Sequence, residues 1–181
     1  MFSKNLLTRL FNIQYPLIQA PMSPLTTPEL VASVSNAGGL GTIAAARMTG
    51  EQLKLEIQKV RALTNKPFAV NLFIPPKKCG FSSETVQFVR QELKELIREK
   101  NLVNCPIDID SLTVKAADEL FPEQINVVLN EKVSILSFTF GYPSDELIQQ
   151  CKTKRIHLVG TATTTQEAIV LKDKGCDAVC L

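Results

Sequence analysis

Short apolar segments alternate along the chain with longer segments in which apolar residues recur at helical spacing. Six of the short segments are bounded by proline, glycine or other turn residues, which is typical of buried strands. They span residues 17–20, 40–44, 68–73, 133–140, 156–159 and 177–181. Because helical segments separate these strands, the pattern predicts parallel strands joined by crossover helices.

The helical segments carry recognisable start signals. Thr49 is followed three residues later by Gln52, and Thr164 by Glu167, which are capping-box patterns. Residues 1–15 predict a lead-in helix whose apolar stripe would close the bottom of a barrel. The other predicted helices begin near Thr27, Thr49, Ser82 or Ser83, Lys115, Glu123, Ser144 and Thr164.

The least repetitive part of the chain lies between residues 76 and 131. A helix running to about Lys100 is predicted there, with Val86, Val89 and Leu93 facing inward. Helices at 115–120 and 123–130 follow, separated by Pro122. We interpret residues 76–131 as an elaborated helical segment after the third strand, within a single domain of residues 1–181.

Composition and charge exclude several classes of protein. Hydrophobic residues make up 45% of the chain, charged residues 21%, and the formal net charge is +2, which is ordinary for a globular protein and gives no argument for nucleic-acid binding. No apolar run approaches the ~20 residues that span a bilayer, and no signal peptide is evident. The five cysteines form no Cys-x-x-Cys pair and the chain has one histidine, so the sequence predicts free thiols, no metal site and a cytoplasmic location.

Motifs along the whole chain, taken in order, resemble the nitronate monooxygenase family, formerly called 2-nitropropane dioxygenase. They are Gln19-Ala20-Pro21-Met22, Ser35-Asn36-Ala37-Gly38-Gly39-Leu40-Gly41, Asn71-Leu72-Phe73-Ile74-Pro75, Phe138-Thr139-Phe140-Gly141 and Gly160-Thr161-Ala162-Thr163. That family consists of flavin mononucleotide (FMN) enzymes built on a TIM (β/α)8 barrel. The resemblance therefore implies an α/β fold of this FMN-dependent type.

The chain is short for such a barrel. A (β/α)8 barrel has eight strands and typically ~250 residues. Because these 181 residues hold about five and a half β/α units, we expect a TIM barrel truncated at that point. Its open strand edge would allow self-association.

The resemblance also implies which residues contact FMN. Ala20, Pro21 and Met22 match the segment whose backbone faces the flavin, and Asn71 matches an asparagine that contacts it. The alternatives are core packing for Met22 and hydrogen bonding to neighbouring backbone for Asn71. Thr161, near the end of a strand, could touch the flavin or serve in a turn.

The chemistry of the predicted strand ends agrees with a cofactor enzyme. In a barrel the reaction takes place at the carboxyl ends of the strands, and here those ends are small, apolar or neutral polar. Such strand ends suit the binding of an apolar ring system rather than the catalysis of hydrolysis.

Gly38-Gly39-Leu40-Gly41 follows a helix, so we interpret it as a cap and turn, not a phosphate loop. His157 begins a strand, at the end of a barrel associated with stability, and is interpreted as structural.

The resemblance implies the oxidation of alkyl nitronates with oxygen. The family's catalytic histidine and its glycine-rich phosphate-binding segments lie beyond Leu181, so we expect the 181-residue chain to have little or no activity alone. Expected partners are a small-molecule nitronate and oxygen in the parent enzyme, without nucleic acid or membrane. Two alternatives stay open: an FMN-type enoyl-acyl-carrier-protein reductase, and a non-enzymatic barrel fragment or interaction module.

Overall fold

A computed structural model of the chain describes residues 5–75, 82–100 and 117–181. The chain divides into two compact units, one of residues 1–75 with 117–181 and one of residues 76–116. The prediction of a single domain with an elaborated segment stays a prediction. In the part of the chain that is described, no helix is long and apolar enough to cross a membrane.

Helices and strands alternate through the larger unit. The described helices are α1 (Leu6–Phe11), α2 (Pro28–Asn36), α3 (Gly50–Leu63), α4 (Ser83–Glu99), α5 (Ala117–Asn130), α6 (Asp145–Thr153) and α7 (Thr165–Asp173). The described strands are β1 (Gly41–Ala44), β2 (Phe68–Phe73), β3 (Ile135–Thr139), β4 (His157–Thr161) and β5 (Ala178–Cys180). Of these, α4 belongs to the smaller unit.

The five described strands form one sheet in the order β1-β2-β3-β4-β5. All of them are parallel, as the sequence predicts. Ala44 pairs with Asn71, Asn71 with Ser137, and Ser137 with Val159. This register places Ala44, Asn71 and Ser137, which are small or polar, in one row on the same face of the sheet.

The prediction of a buried strand at residues 17–20 is wrong in extent and in burial, since Leu17 and Ile18 are exposed. Ile18 makes a single parallel bridge to Leu40, supported by bonds from Gln19 N to Leu40 O (2.9 Å) and from Leu40 N to Leu17 O (2.9 Å). Beyond it, Thr42 N donates to the Gln19 side-chain oxygen at 3.2 Å. A side chain therefore takes the place of the next backbone acceptor.

Two other predicted boundaries also need correction. The strand predicted at 133–140 ends at Thr139, because Phe140 adopts a left-handed backbone with φ of 69°. The helices predicted on either side of Pro122 are one helix, α5. Proline removes one hydrogen bond there, but Gln124, Ile125 and Val128 on the following turns are buried and hold the helix in place.

Each face of the sheet carries its own apolar cluster. The outer face packs against helices through residues that include Val70, Leu136 and Phe138, all almost fully buried. On the inner face, Phe11 of the lead-in helix and Ile135 belong to a second cluster. The lead-in helix thus contributes to the core, although it is shorter than the predicted 1–15.

Helix α4 is amphipathic but exposed. Ser82 caps it by accepting a hydrogen bond from Thr85 N at 3.1 Å. The residues predicted to face inward are exposed instead: Val86 by 38%, Val89 by 48% and Leu93 by 40%. Helical spacing fixes an apolar stripe, but it does not supply a surface that covers the stripe.

Candidate functional site

The carboxyl ends of the strands gather at one edge of the larger unit, because all five strands are parallel. Active sites of parallel α/β folds form at this edge. All five residues predicted to contact the cofactor lie at or near it, but at three separate places.

Asn71 occupies the inner face near the end of β2 and is 4% exposed. Its Nδ2 donates to Ser137 Oγ at 2.9 Å, and its backbone oxygen accepts from Ala45 N at 3.1 Å. The side-chain bond joins the Asn71 amide to β3. The partner of the Asn71 side chain is thus a neighbouring hydroxyl and not the backbone of the alternative interpretation. The predicted contact between Asn71 and a cofactor stays a prediction.

The segment Ala20-Pro21-Met22 is exposed at the end of the bridge to Leu40. Thr26 closes it as a turn: Met22 N donates to Thr26 Oγ1 at 2.9 Å, and Thr26 N donates to Met22 O at 2.7 Å. Met22 is 44% exposed, so it is not the core filler of the alternative interpretation. One strand, β1, separates this segment from β2, a distance of roughly 10 Å.

Thr161 lies in a cleft of about 500 Å³ between the end of β3 and the start of α7. Most of the residues around it are apolar or neutral. They are Thr139, Phe140, Gly141, Tyr142, Thr161, Thr163, Gln166, Glu167, Val170 and Leu171. The structure therefore brings Thr161 together with Phe140 and Tyr142, and not with Asn71 or Met22.

Two aromatic residues line this cleft, Phe140 and Tyr142, and the sequence analysis did not identify either as a site residue. Phe140 is 68% exposed and meets Phe73 edge-on, with 4.9 Å between ring centroids. Lys174 Nζ lies 4.5 Å from the centre of the Tyr142 ring and 2.9 Å from Asp145 Oδ1. The hydrogen bond to Asp145 raises the pKa of Lys174. The sequence signal was an aromatic residue directly after a strand, which alone does not distinguish a site from a core.

Glu167 makes a different hydrogen bond from the one that its capping-box pattern predicts. Its carboxylate accepts from Thr163 N (2.7 Å) and Thr163 Oγ1 (2.9 Å), and the backbone bond is the main reason its pKa is lowered. Thr164 Oγ1 accepts from Glu167 N, but the reciprocal bond of a capping box goes to Thr163 instead. The predicted box is thus only half formed, and a carboxylate is held at the rim of the cleft.

His157 lies at the opposite end of the sheet, as predicted. It is the first residue of β4, with its ring 6.0 Å from that of Phe11 and its Nδ1 3.5 Å from Asp177 Oδ1. Across the described ranges, no group of three or more histidine, cysteine, aspartate or glutamate residues could hold a metal ion.

Comparison with known proteins agrees with this arrangement. A probable nitronate monooxygenase from Staphylococcus haemolyticus is 44% identical over 179 residues, which is 99% of this chain and 48% of that protein. One from Staphylococcus aureus is 39% identical with the same coverage. The chain thus spans about half the length of the relatives it matches.

Solved structures show the same fold. Nitroalkane oxidase from Streptomyces ansochromogenes superposes with a TM-score of 0.78 at 31% identity, over 96% of this chain and 47% of that one. FabK from Thermotoga maritima superposes with a TM-score of 0.67 at 25% identity, covering 96% and 42%. The parallel sheet and its helices thus correspond to about half of a TIM barrel.

A family model described as nitronate monooxygenase matches residues 4–181. Almost the whole chain is covered by this match, and both the parallel sheet and the relatives agree with it. The chain therefore belongs to the nitronate monooxygenase family, a family of oxidoreductases.

Proposed function

We propose that this chain serves the FMN-dependent oxidation of alkyl nitronates, with the carboxyl edge of its sheet holding one side of the flavin ring. The observation that carries the proposal is Asn71, a buried amide on the inner face at the end of β2. An amide both donates and accepts hydrogen bonds, which matches the mixed polar edge of a flavin.

The residues around Asn71 fit such a ring. Ala44 is its neighbour on β1, and Ser137 is its neighbour on β3. The buried hydroxyl of Thr42 on β1 has no hydrogen-bond partner among the described residues. Small and neutral side chains leave space without placing a charge against an apolar ring.

Each predicted contact then has a distinct task. Asn71 would hydrogen-bond the polar edge of the ring, the exposed turn Ala20-Pro21-Met22 would lie against it, and Thr161 would contact it from the cleft. The flavin, when bound, supplies the redox chemistry by which nitronate and oxygen give a carbonyl compound and nitrite. This chain's own residues bind and orient. His157 lies at the amino end of the sheet and is not proposed as the catalytic base.

The test is FMN binding by the purified chain, followed through flavin absorption and fluorescence. Asn71→Leu removes the amide at similar volume, and we expect it to raise the dissociation constant for FMN about tenfold. Asn65→Leu, at the opposite end of the sheet, is the matched control and should leave that constant unchanged.

The outcomes separate the candidate functions. A chain that stays colourless and binds no FMN would contradict the proposal and support a non-enzymatic module. Oxygen uptake driven by a nitronate would support the monooxygenase and contradict the expectation of an inactive chain. Turnover that requires a reduced nicotinamide cofactor would instead support the enoyl-acyl-carrier-protein reductase.

A further inference from the structure

The loop between β1 and α3, residues 45–49, lies at the carboxyl edge and carries Arg47. Among the described loops at this edge (residues 20–27, 45–49, 74–75, 140–144 and 162–164), Arg47 is the one cationic residue. Lys174 reaches the edge from α7, but Asp145 and Tyr142 already engage it. Arg47 is exposed and makes no ion pair or hydrogen bond with any described residue.

A buried glutamine holds the backbone on both sides of Arg47. Gln124 of α5 is 2% exposed, and its Nε2 donates to the carbonyl oxygens of Ala45 at 3.0 Å and Met48 at 2.7 Å. The carbonyl of Ala46 lies 3.5 Å from the same nitrogen. An amide nitrogen has two protons, so the two shorter bonds use its full donor capacity.

Further bonds tie the same loop to Asn71. Ala45 N donates to Asn71 O at 3.1 Å, and Met48 N donates back to Ala45 O at 3.0 Å. After the loop, the Thr49 and Gln52 capping box fixes the start of α3, as the sequence predicts. Arg47 is therefore an exposed cation on an ordered loop whose backbone is bonded to that of Asn71, the proposed flavin ligand.

This arrangement favours binding of an anion. A guanidinium matches two oxygens of a planar oxyanion through parallel hydrogen bonds. An ordered backbone lowers the conformational entropy that is lost when the ligand binds. A nitronate carries its negative charge on two oxygens of one planar group, whereas the parent nitroalkane is neutral.

We propose that Arg47 binds the oxyanion of the substrate, and that Gln124 is the positioning residue that holds its loop. This inference rests on the proposed function for the identity of the substrate. The phosphate of FMN offers the same oxyanion chemistry, so the experiment must separate the two sources.

The first experiment compares propyl nitronate with neutral nitropropane as ligands of the FMN-loaded chain. Arg47→Met should weaken nitronate binding about 10- to 100-fold and leave nitropropane binding unchanged. Arg47→Lys keeps the charge but not the two parallel donors, so it should recover only part of the affinity. Arg9→Met, on α1, is the matched control.

A second variant tests the positioning role. Gln124→Met removes the donor at similar volume, and it should reduce the preference for nitronate over nitropropane. Hydrogen exchange at the Met48 amide, which donates to Ala45 O, should accelerate in the same variant. A change in stability with the ligand preference intact would overturn the role of Gln124.

The remaining outcomes are decisive for Arg47. If Arg47→Met weakens FMN binding and not nitronate binding, the oxyanion is the cofactor's phosphate and the substrate assignment is overturned. If neither changes, the anion site is overturned. If the unaltered chain binds no FMN, the proposed function fails separately. The guanidinium resonances of Arg47, titrated with nitronate and nitropropane alone, then decide this proposal, and a lack of selective shifts contradicts it.

Discussion

Cys151 shows how burial alone sets the chemistry of a side chain. It lies on α6, fully buried, and desolvation raises the pKa of its thiol from 9.0 to about 11. A buried thiolate loses its hydration, so the folded state keeps the proton that the unfolded state releases.

This shift predicts a loss of stability at alkaline pH. Below about pH 9 the thiol is protonated in both states and has no effect, whereas between about 9 and 11 only the unfolded state ionises. The free energy of unfolding should then fall, by at most about 3 kcal/mol from this group. Urea unfolding at a series of pH values checks this, with Cys151→Ala as the comparison. Equal alkaline slopes for the two proteins would refute the assignment.

At the residue scale, a polar residue inside an apolar strand is easier to recognise from the sequence than a helical polar residue that bonds a distant segment. Asn71 is recognisable because it interrupts an apolar strand. Gln124 looks like an ordinary helical residue, since the carbonyls that it contacts lie 79, 78 and 76 positions away. Its role depends on tertiary packing, which a single sequence does not display.

At the scale of elements, the packing of α2 against β1 depends on Gly41. A Cβ placed on Gly41 would lie 2.1 Å from the carbonyl oxygen of Val31 and 2.7 Å from its carbonyl carbon. Both atoms belong to backbone, so neither can rotate away. The helix and the strand therefore approach more closely than any other residue would permit.

Gly41→Ala should lower the free energy of unfolding by about 3 kcal/mol or more, because α2 must move from β1. Gly50→Ala is a matched control: its Cβ would lie 3.0 Å from the Glu123 side chain, and alanine is favoured in the first turn of a helix. Its effect should stay within about 1 kcal/mol. Chemical denaturation of both variants measures the difference, and similar midpoints would contradict the packing argument.

Local signals decide which elements are predictable. The bounds of β2 match the predicted 68–73, because Pro67 and the prolines after Ile74 delimit an apolar run. The segment at 17–20 has similar signals, but among the described residues it pairs with a neighbour on one side only and forms a single bridge. Its extent depends on pairing between strands, which is not encoded within the segment.

At the scale of the whole molecule, the parallel direction of the strands and five of the six predicted strands followed from the chain's periodicity. The order of the strands agrees with the barrel that the family resemblance implies, in which each strand pairs with the next one along the chain. Which elements pair with the first and last strands of the sheet does not follow from the periodicity. Pairing at an edge depends on residues outside these strands.

We therefore expect the purified chain to associate with itself through the exposed edge at residues 17–19. Leu17 is 66% exposed and Ile18 45%, and in the described ranges the segment 17–19 pairs only with Leu40 on one side. Unpaired backbone flanked by apolar side chains favours contact between chains. Sedimentation velocity should show a mass that rises with protein concentration, and Ile18→Lys should reduce it. Leu55→Lys on α3, where the leucine is 50% exposed, is the matched control. A monomer at every concentration would exclude association, and equal effects of both lysines would exclude this edge as its site.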